Sequence, residues 1–445
     1  MKQKYINTLV AIALLGALWG TITYLEKRQS RETPKIESSP VEKILVVDSS
    51  HIQSFALRPR DGQALTCRRE AGNWAIIEPR KLPVDQSSVS SFLNNLTNAT
   101  VDQVVDPHPA NLKDFGLDPP SFTLDVTTDA KPAKLALLLG DETPTSGGVY
   151  AQIAGNPRVV TLASYLKSSL EKKLDDLRDK RACTLDPDQL QKIEAQSKGK
   201  TYTLAKNPEG VWDLVLPPPV RADRLTVQGM VDQLRNLSMQ TVVAEEKKNP
   251  GQYGFGAPTL RLLLSGPKGS QTMVLGKKDK EGDRYFAMNS ALGPVFTLSS
   301  SFLTQFQKDP AALREKDLFS FSTFDVKRLE VDTPKGHRVF EQQKGKWRQT
   351  APNAKDEDTG KVESFLSHLR DLRADSFPKQ GNLATLGLAK PAYRFQVQFG
   401  DKTQTEIVEA SKTGEHVYAR RSTDPLPGEL AKTALDDVEK ALSNL

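Results

Sequence analysis

Hydrophobic patterning along this chain changes character three times. The first pattern is a block: Tyr5 to Leu25 is 21 residues without a charged side chain. At about 1.5 Å rise per residue a helix of that length spans about 31 Å, the thickness of a bilayer core. The block predicts a single transmembrane anchor over residues 1–25, with Lys2 and Lys4 before it, Glu26, Lys27 and Arg28 after it, and Tyr5 and Tyr24 at interfacial depth. A cleaved signal peptide is the competing reading. The run exceeds the roughly 7–15 residues of a signal core, and no small-x-small site follows it. No cysteine at its end offers a lipid acceptor. Residues 26–42 are charged and Ser/Pro-containing with almost no apolar side chain, which predicts a solvated tether before a folded body starting at Lys43.

The second pattern is short apolar alternation broken by turn residues. KILVVD (43–48), SFALRP (54–59), ALTCRR (64–69) and NWAIIE (73–78) read as antiparallel strands, and FTLDV (122–126), KLALLLG (134–140), VYAQI (149–153) and RVVTL (158–162) repeat the plan. The third pattern is helical spacing between and after these groups. Val89, Phe92, Leu93 and Leu96 fall on one face, Asp85 stands where an N-cap is expected, and a second helix is predicted over Ala163–Lys173. Each half of this plan is four strands plus a helix, which suggests an older duplication.

The whole plan is written three times. GNWAIIEP, GVWDLVLP and GKWRQTAP place Trp74, Trp212 and Trp347 in one frame. Asp85, Asp223 and Asp358 each stand four residues before a valine that opens an apolar helical run. The turns FGLDPP, YGFGAP and LGLAKP then supply Gly116, Gly254 and Gly387 with Pro120, Pro258 and Pro391; Trp-to-Gly spacings are 42, 42 and 40 residues. Leu139-Gly140 and Leu275-Gly276 precede Tyr150-Ala151 and Phe286-Ala287, and LRDK (177–180) and LREK (313–316) close the first two copies. The third copy keeps Tyr418-Ala419, has Glu409-Ala410 where the others have Leu-Gly, and ends early in a short helix. The repeat length of about 136–138 residues makes each copy a domain: 43–186, 187–324 and a truncated, degenerate 325–445. The predicted fold class is therefore α+β, mostly antiparallel sheet plus helix in three tandem copies behind one transmembrane helix.

A short anchor followed by ordered copies of these motifs resembles the bacterial family known as domain of unknown function 4340, over about the whole chain. The resemblance implies an anchored envelope protein, often encoded beside an ABC-type transporter and its gliding-motility-like auxiliary subunit, with no established activity.

Composition adds exclusions. A net charge of +6 from 61 basic and 55 acidic side chains is too dilute for nucleic acid. Histidines 51, 108, 337, 368 and 416 are isolated, and two cysteines cannot make a four-cysteine zinc site, so no metal and no cofactor are expected. Gly199-Lys200-Thr201 lacks the first glycine of a phosphate loop, because position 194 is Glu. Gly254-x-Gly256 lacks its third glycine, because position 259 is Thr. The tryptophans, Gly-Leu-x-x-Pro turns and Asp caps read as core, turn and capping residues in preference to a stacking surface, a ligand loop or general bases. By repeat register Cys67 aligns with Ala205 and Phe340, and Cys183 with Phe319, which predicts buried free thiols and no disulfide.

No catalytic constellation emerges. The expected role is a non-enzymatic scaffold or accessory subunit on the cytoplasmic membrane, contacting transporter subunits. An extracytoplasmic small-molecule or glycan-binding module and a cell-envelope enzyme are the alternatives. Lys and Arg counts on the two sides of the anchor lean slightly against export. Glu26, Glu32 and Glu37 dilute the downstream cluster, however, and the short lead before the block is that of a signal anchor. The body is expected outside the membrane.

Overall fold

A computed structural model describes residues 42–144, 147–280, 282–378 and 382–445. The anchor predicted over Tyr5 to Leu25 and the tether up to residue 41 lie outside the described residues. Among those described, no helix is long and apolar enough to cross a membrane.

In the first copy nine strands form: β1 (Ile52–Pro59), β2 (Leu65–Glu70), β3 (Asn73–Glu78), β4 (Leu82–Pro83), β5 (Gln103–Asp106), β6 (Phe122–Thr128), β7 (Lys134–Glu142), β8 (Gly148–Ile153) and β9 (Val159–Ala163). They make one antiparallel sheet in the order β4-β3-β2-β1-β6-β7-β8-β9-β5. Two four-strand meanders thus meet where β1 pairs with β6, Phe55 opposite Val126. Strands β4 and β5 were not among those expected from the sequence, and β5 crosses alone to the far edge. Helix α1 (Gln86–Thr97) follows the first meander, and α2 (Ser164–Leu170) with α3 (Leu174–Leu177) the second. Side chains of one sheet face, including Phe55, Leu124 and Leu137, pack with Val89, Phe92, Leu93 and Leu96 of α1 into a single core.

The second copy repeats this order from Lys192–Ser197 to Val295–Ser299, with α4 (Arg224–Arg235) and α5 (Ser300–Phe306). The third runs from Val326–Thr333 to Gly428–Leu430, with α6 (Thr359–Arg370) and α7 (Ala434–Ser443). Each has its own core. The third sheet, like the other two, has nine strands. The chain divides into two compact units, one ending at Asp179 and the other running Lys180–Leu445, which holds the second and third sheets.

Two expectations are corrected. Residues 43–48 do not form a strand. The segment has no ladder partner beyond the isolated Lys43–Thr100 bridge, and the Ile44 amide donating to the Ala99 carbonyl ties it down beside the end of α1 with Ile44 and Leu45 buried. Glu42, just ahead of that segment, accepts from the Val101 amide and pairs with Arg158. The helix predicted over Ala163–Lys173 breaks after Leu170, and Asp176 then accepts from the Lys173 amide to start α3, which buries Leu177.

Candidate functional site: an arginine-lined cleft in the second unit

The repeated motif residues build scaffold. Asp85, Asp223 and Asp358 are the N-caps of α1, α4 and α6, accepting from the amides of Ser87 and Ser88, of Thr226 and of Lys361. Gly116, Gly254 and Gly387 take left-handed φ of 66°, 82° and 72°, ending short turns in which Pro120, Pro258 and Pro391 lead back into the sheet. These turns lie on the sheet face opposite the helices in the second copy, where Tyr253 and Phe255 form a small separate cluster with Val274 and Val295.

The Leu-Gly motif has a steric cause. A Cβ on Gly140 or Gly276 would stand 2.0 Å from the Phe115 or Tyr253 carbonyl oxygen, inside any allowed contact. In the third copy the strand pairs Ala410 with Tyr393, as Leu139 pairs with Phe122, so Ser411 and not Ala410 replaces the glycine. Its hydroxyl donates to the Gly387 carbonyl at 2.8 Å. The cysteine register shifts likewise. A five-residue hairpin loop (207–211) moves the second copy, so Leu204, paired with Leu214, is the counterpart of Cys67, paired with Ile76. Cys67 and Cys183 are buried and free, and burial pushes the Cys67 thiol up to about 12.

The tryptophans diverge. Trp74 and Trp347 are 7% and 1% exposed and buried in their cores. Gln86 closes over the first, accepting from the Trp74 amide at 3.0 Å and donating to its carbonyl at 2.9 Å. Trp212 is only half-buried, with Lys206 Nζ 5.3 Å from its ring, and Arg224 stands where Gln86 does.

Trp212 faces a cleft of about 920 Å³ between the second and third sheets, inside the second unit. Arg221 and Arg224, on either side of the Asp223 cap, line one wall; Arg370 and Arg373, on either side of the end of α6, line the other. Arg421 lies beneath, donating to the Leu318 carbonyl at 2.8 Å and to that of Asp317. Burial, with the nearby charge of Arg221 adding to it, lowers the Arg421 pKa from its ordinary value. The three carboxylates in the cleft are engaged. Glu315 accepts from the Asp317 and Arg224 amides, Asp371 pairs with Arg370 at 3.1 Å, and Asp317 with Arg373 at 3.6 Å. Among the described residues no group of three or more His, Cys, Asp or Glu side chains could hold a metal ion.

The arginines are peculiar to this place. Pro83 and Asp356 occupy the position of Arg221 in the sister copies, Gln86 and Thr359 that of Arg224, and Thr100 and Ser238 that of Arg373. Sequence reasoning passed over all three. The signal was in the three-way alignment, as cations where the siblings are neutral or acidic.

The repeat that frames this cleft also settles kinship. The family model described as domain of unknown function (DUF4340) matches residues 74–214 and again 212–391. The chain belongs to this family. In this DUF4340 protein the first match opens at Trp74 and closes just past Trp212, where the second opens and runs on past Trp347 to Pro391. No curated protein and no solved structure matches the chain.

Proposed function

We propose that this protein is a non-enzymatic, membrane-anchored envelope protein, a scaffold or accessory subunit of an ABC-type membrane transport complex. The observation that carries the reading is the contrast between conserved cores and unlike surfaces. Three copies keep one sheet, one set of caps and one set of turns, while the cleft of the second unit replaces neutral or acidic sibling residues with Arg221, Arg224 and Arg373. Repetition of a rigid module with a specialised surface suits a protein that holds others. The cleft's carboxylates are each bonded to an amide or an arginine, an arrangement suited to recognition rather than proton transfer. The anchor and the transporter connection rest on the uncharged block Tyr5 to Leu25 and on the family resemblance.

Gentle detergent extraction of the tagged full-length protein from its native host, followed by mass spectrometry, tests this. Stoichiometric recovery of permease or ATPase subunits is expected, and recovery of the protein alone would sink the reading. The half-buried Trp212 favours a second reading, a small-molecule or glycan-binding module, since an indole face beside charged groups stacks on sugar rings. Ligand-induced thermal stabilisation would support it.

A further inference from the structure

We infer that the arginine-lined cleft of the second unit binds a short acidic segment of a partner protein, with carboxylates that alternate with apolar side chains. The inference rests on the scaffold reading above and deepens it by naming the chemistry of the partner. Cations come from two walls, Arg221 and Arg224 flanking the Asp223 cap of α4, and Arg370 and Arg373 at and just past the end of α6. Glu315, Asp317 and Asp371 line the same cleft as these arginines. A lone phosphate placed in the cleft meets those carboxylates as well as the arginines. An extended chain with spaced carboxylates reaches one cation after another and sets neutral groups against the acids between.

The surroundings are apolar where such a chain needs them to be. Val211 and Trp212 line the cleft, and Leu225, the residue after Arg224, is 70% exposed on the first turn of α4. Exposed aliphatic and indole surface beside guanidinium groups is the composition of protein recognition patches, where Trp and Arg supply most of the binding energy. The arginines' present partners hold them loosely. Arg370 and Asp371 are neighbours in sequence, and the Arg373–Asp317 pair is exposed at 3.6 Å, so either guanidinium can exchange its acid for a ligand carboxylate with little loss.

The test uses the full chain in detergent and a fluorescent peptide of alternating glutamate and leucine, with a lysine-leucine peptide, inorganic phosphate and an oligoglucuronate as comparisons. The glutamate peptide is expected to bind, to weaken with added salt, and to be displaced poorly by phosphate. Replacing Arg224→Gln and Arg373→Ser together installs the residues of sister copies, Gln86 and Ser238, which those copies show to suit the fold. That variant should bind about tenfold more weakly, with unchanged thermal unfolding. Equal binding of the lysine peptide, unchanged affinity in the double variant, or tighter binding of phosphate or oligoglucuronate than of the peptide each overturns the inference. The scaffold reading is judged separately: transporter subunits that still co-purify with the double variant retain that reading while removing the cleft from it.

Discussion

At the residue scale the repeat is explained by contacts that a single added atom would break. Gly276 lies in the strand Gly269–Lys278, where the ladder to its neighbour skips between Leu275 and Lys278, and the Tyr253 carbonyl fills the space its Cβ would take. Gly276→Ala must push the Tyr253 turn off the sheet, and a destabilisation of about 2 kcal/mol is expected from overpacking. Gly256→Ala, where an added Cβ meets nothing within 4 Å, should change stability by less than about 0.5 kcal/mol. Chemical denaturation of the two variants checks the pair; equal effects would show that close approach does not explain the glycine. The third copy reaches the same end by other means, since Ser411 donates its hydroxyl to the turn in place of the tight approach. This is why Leu-Gly was legible twice and lost in the third copy, where a different residue type serves the same turn. Cys67 illustrates the opposite error. Its burial was legible from apolar siblings, but its true sibling Leu204 was hidden by the longer 207–211 loop.

At the scale of elements, the caps show how a sequence offset becomes helix stability. Asp223 accepts from the Thr226 amide at 2.7 Å at the head of α4, satisfying a donor the helix cannot pair internally. Asp223→Ala should cost about 1 kcal/mol, while Asp223→Asn, which keeps an acceptor, should cost much less. Thermal unfolding distinguishes them, and equal losses would mean that the carboxylate acts through charge and not through the cap bond. The cap of α1 adds a pH signature to the same experiment. Hydrogen bonds, the Ser87 hydroxyl first, hold the Asp85 carboxyl below its ordinary value of 3.8. Its folded pKa is then below its unfolded one, so its contribution is complete above that value and is lost as pH falls through the folded pKa. Asp85→Asn should flatten that acid limb. The helices were legible because their apolar faces and caps are local, and most strands because they alternate. Segment 43–48 misled because its apolar run is buried beside the end of α1 with one isolated bridge and no ladder, a tertiary packing that reads locally as a strand. The pairing of β1 with β6, and the crossing of β5 to the far edge, join positions about seventy and sixty residues apart and leave no local trace.

At the scale of the molecule, the second unit is more than two sheets in series, and one side chain shows why. Arg314, from the closing LREK segment, is buried with its guanidinium 3.6 Å from the centre of the Phe377 ring and donates to the Leu426 carbonyl at 3.3 Å, both in the third copy. Leu426 itself packs on the core of the second copy. Burial pulls the Arg314 pKa down, with Asp424 opposing that shift, so the charge is kept inside by its neighbours. Around it the segment is stitched both ways: the Asp223 amide donates to the Leu313 carbonyl, and the Ala374 amide to that of Lys316. These contacts fix the distance between the walls of the arginine cleft, because Arg221 and Arg224 belong to one sheet's copy and Arg370 and Arg373 to the other's. Arg314→Ala removes a cation–π contact and a partly buried hydrogen bond to a backbone carbonyl, together worth about 2–3 kcal/mol. The loss falls on the coupling between the two sheets, since each keeps its own core. Hydrogen exchange in rising denaturant reads the effect strand by strand. In the native chain, strands Lys192–Ser197 and Val326–Thr333 should open at one denaturant concentration. In Arg314→Ala they should open at two, and glutamate-peptide affinity should fall although no cleft arginine has changed. A single shared midpoint in the variant would show that the sheets are coupled by something other than this arginine.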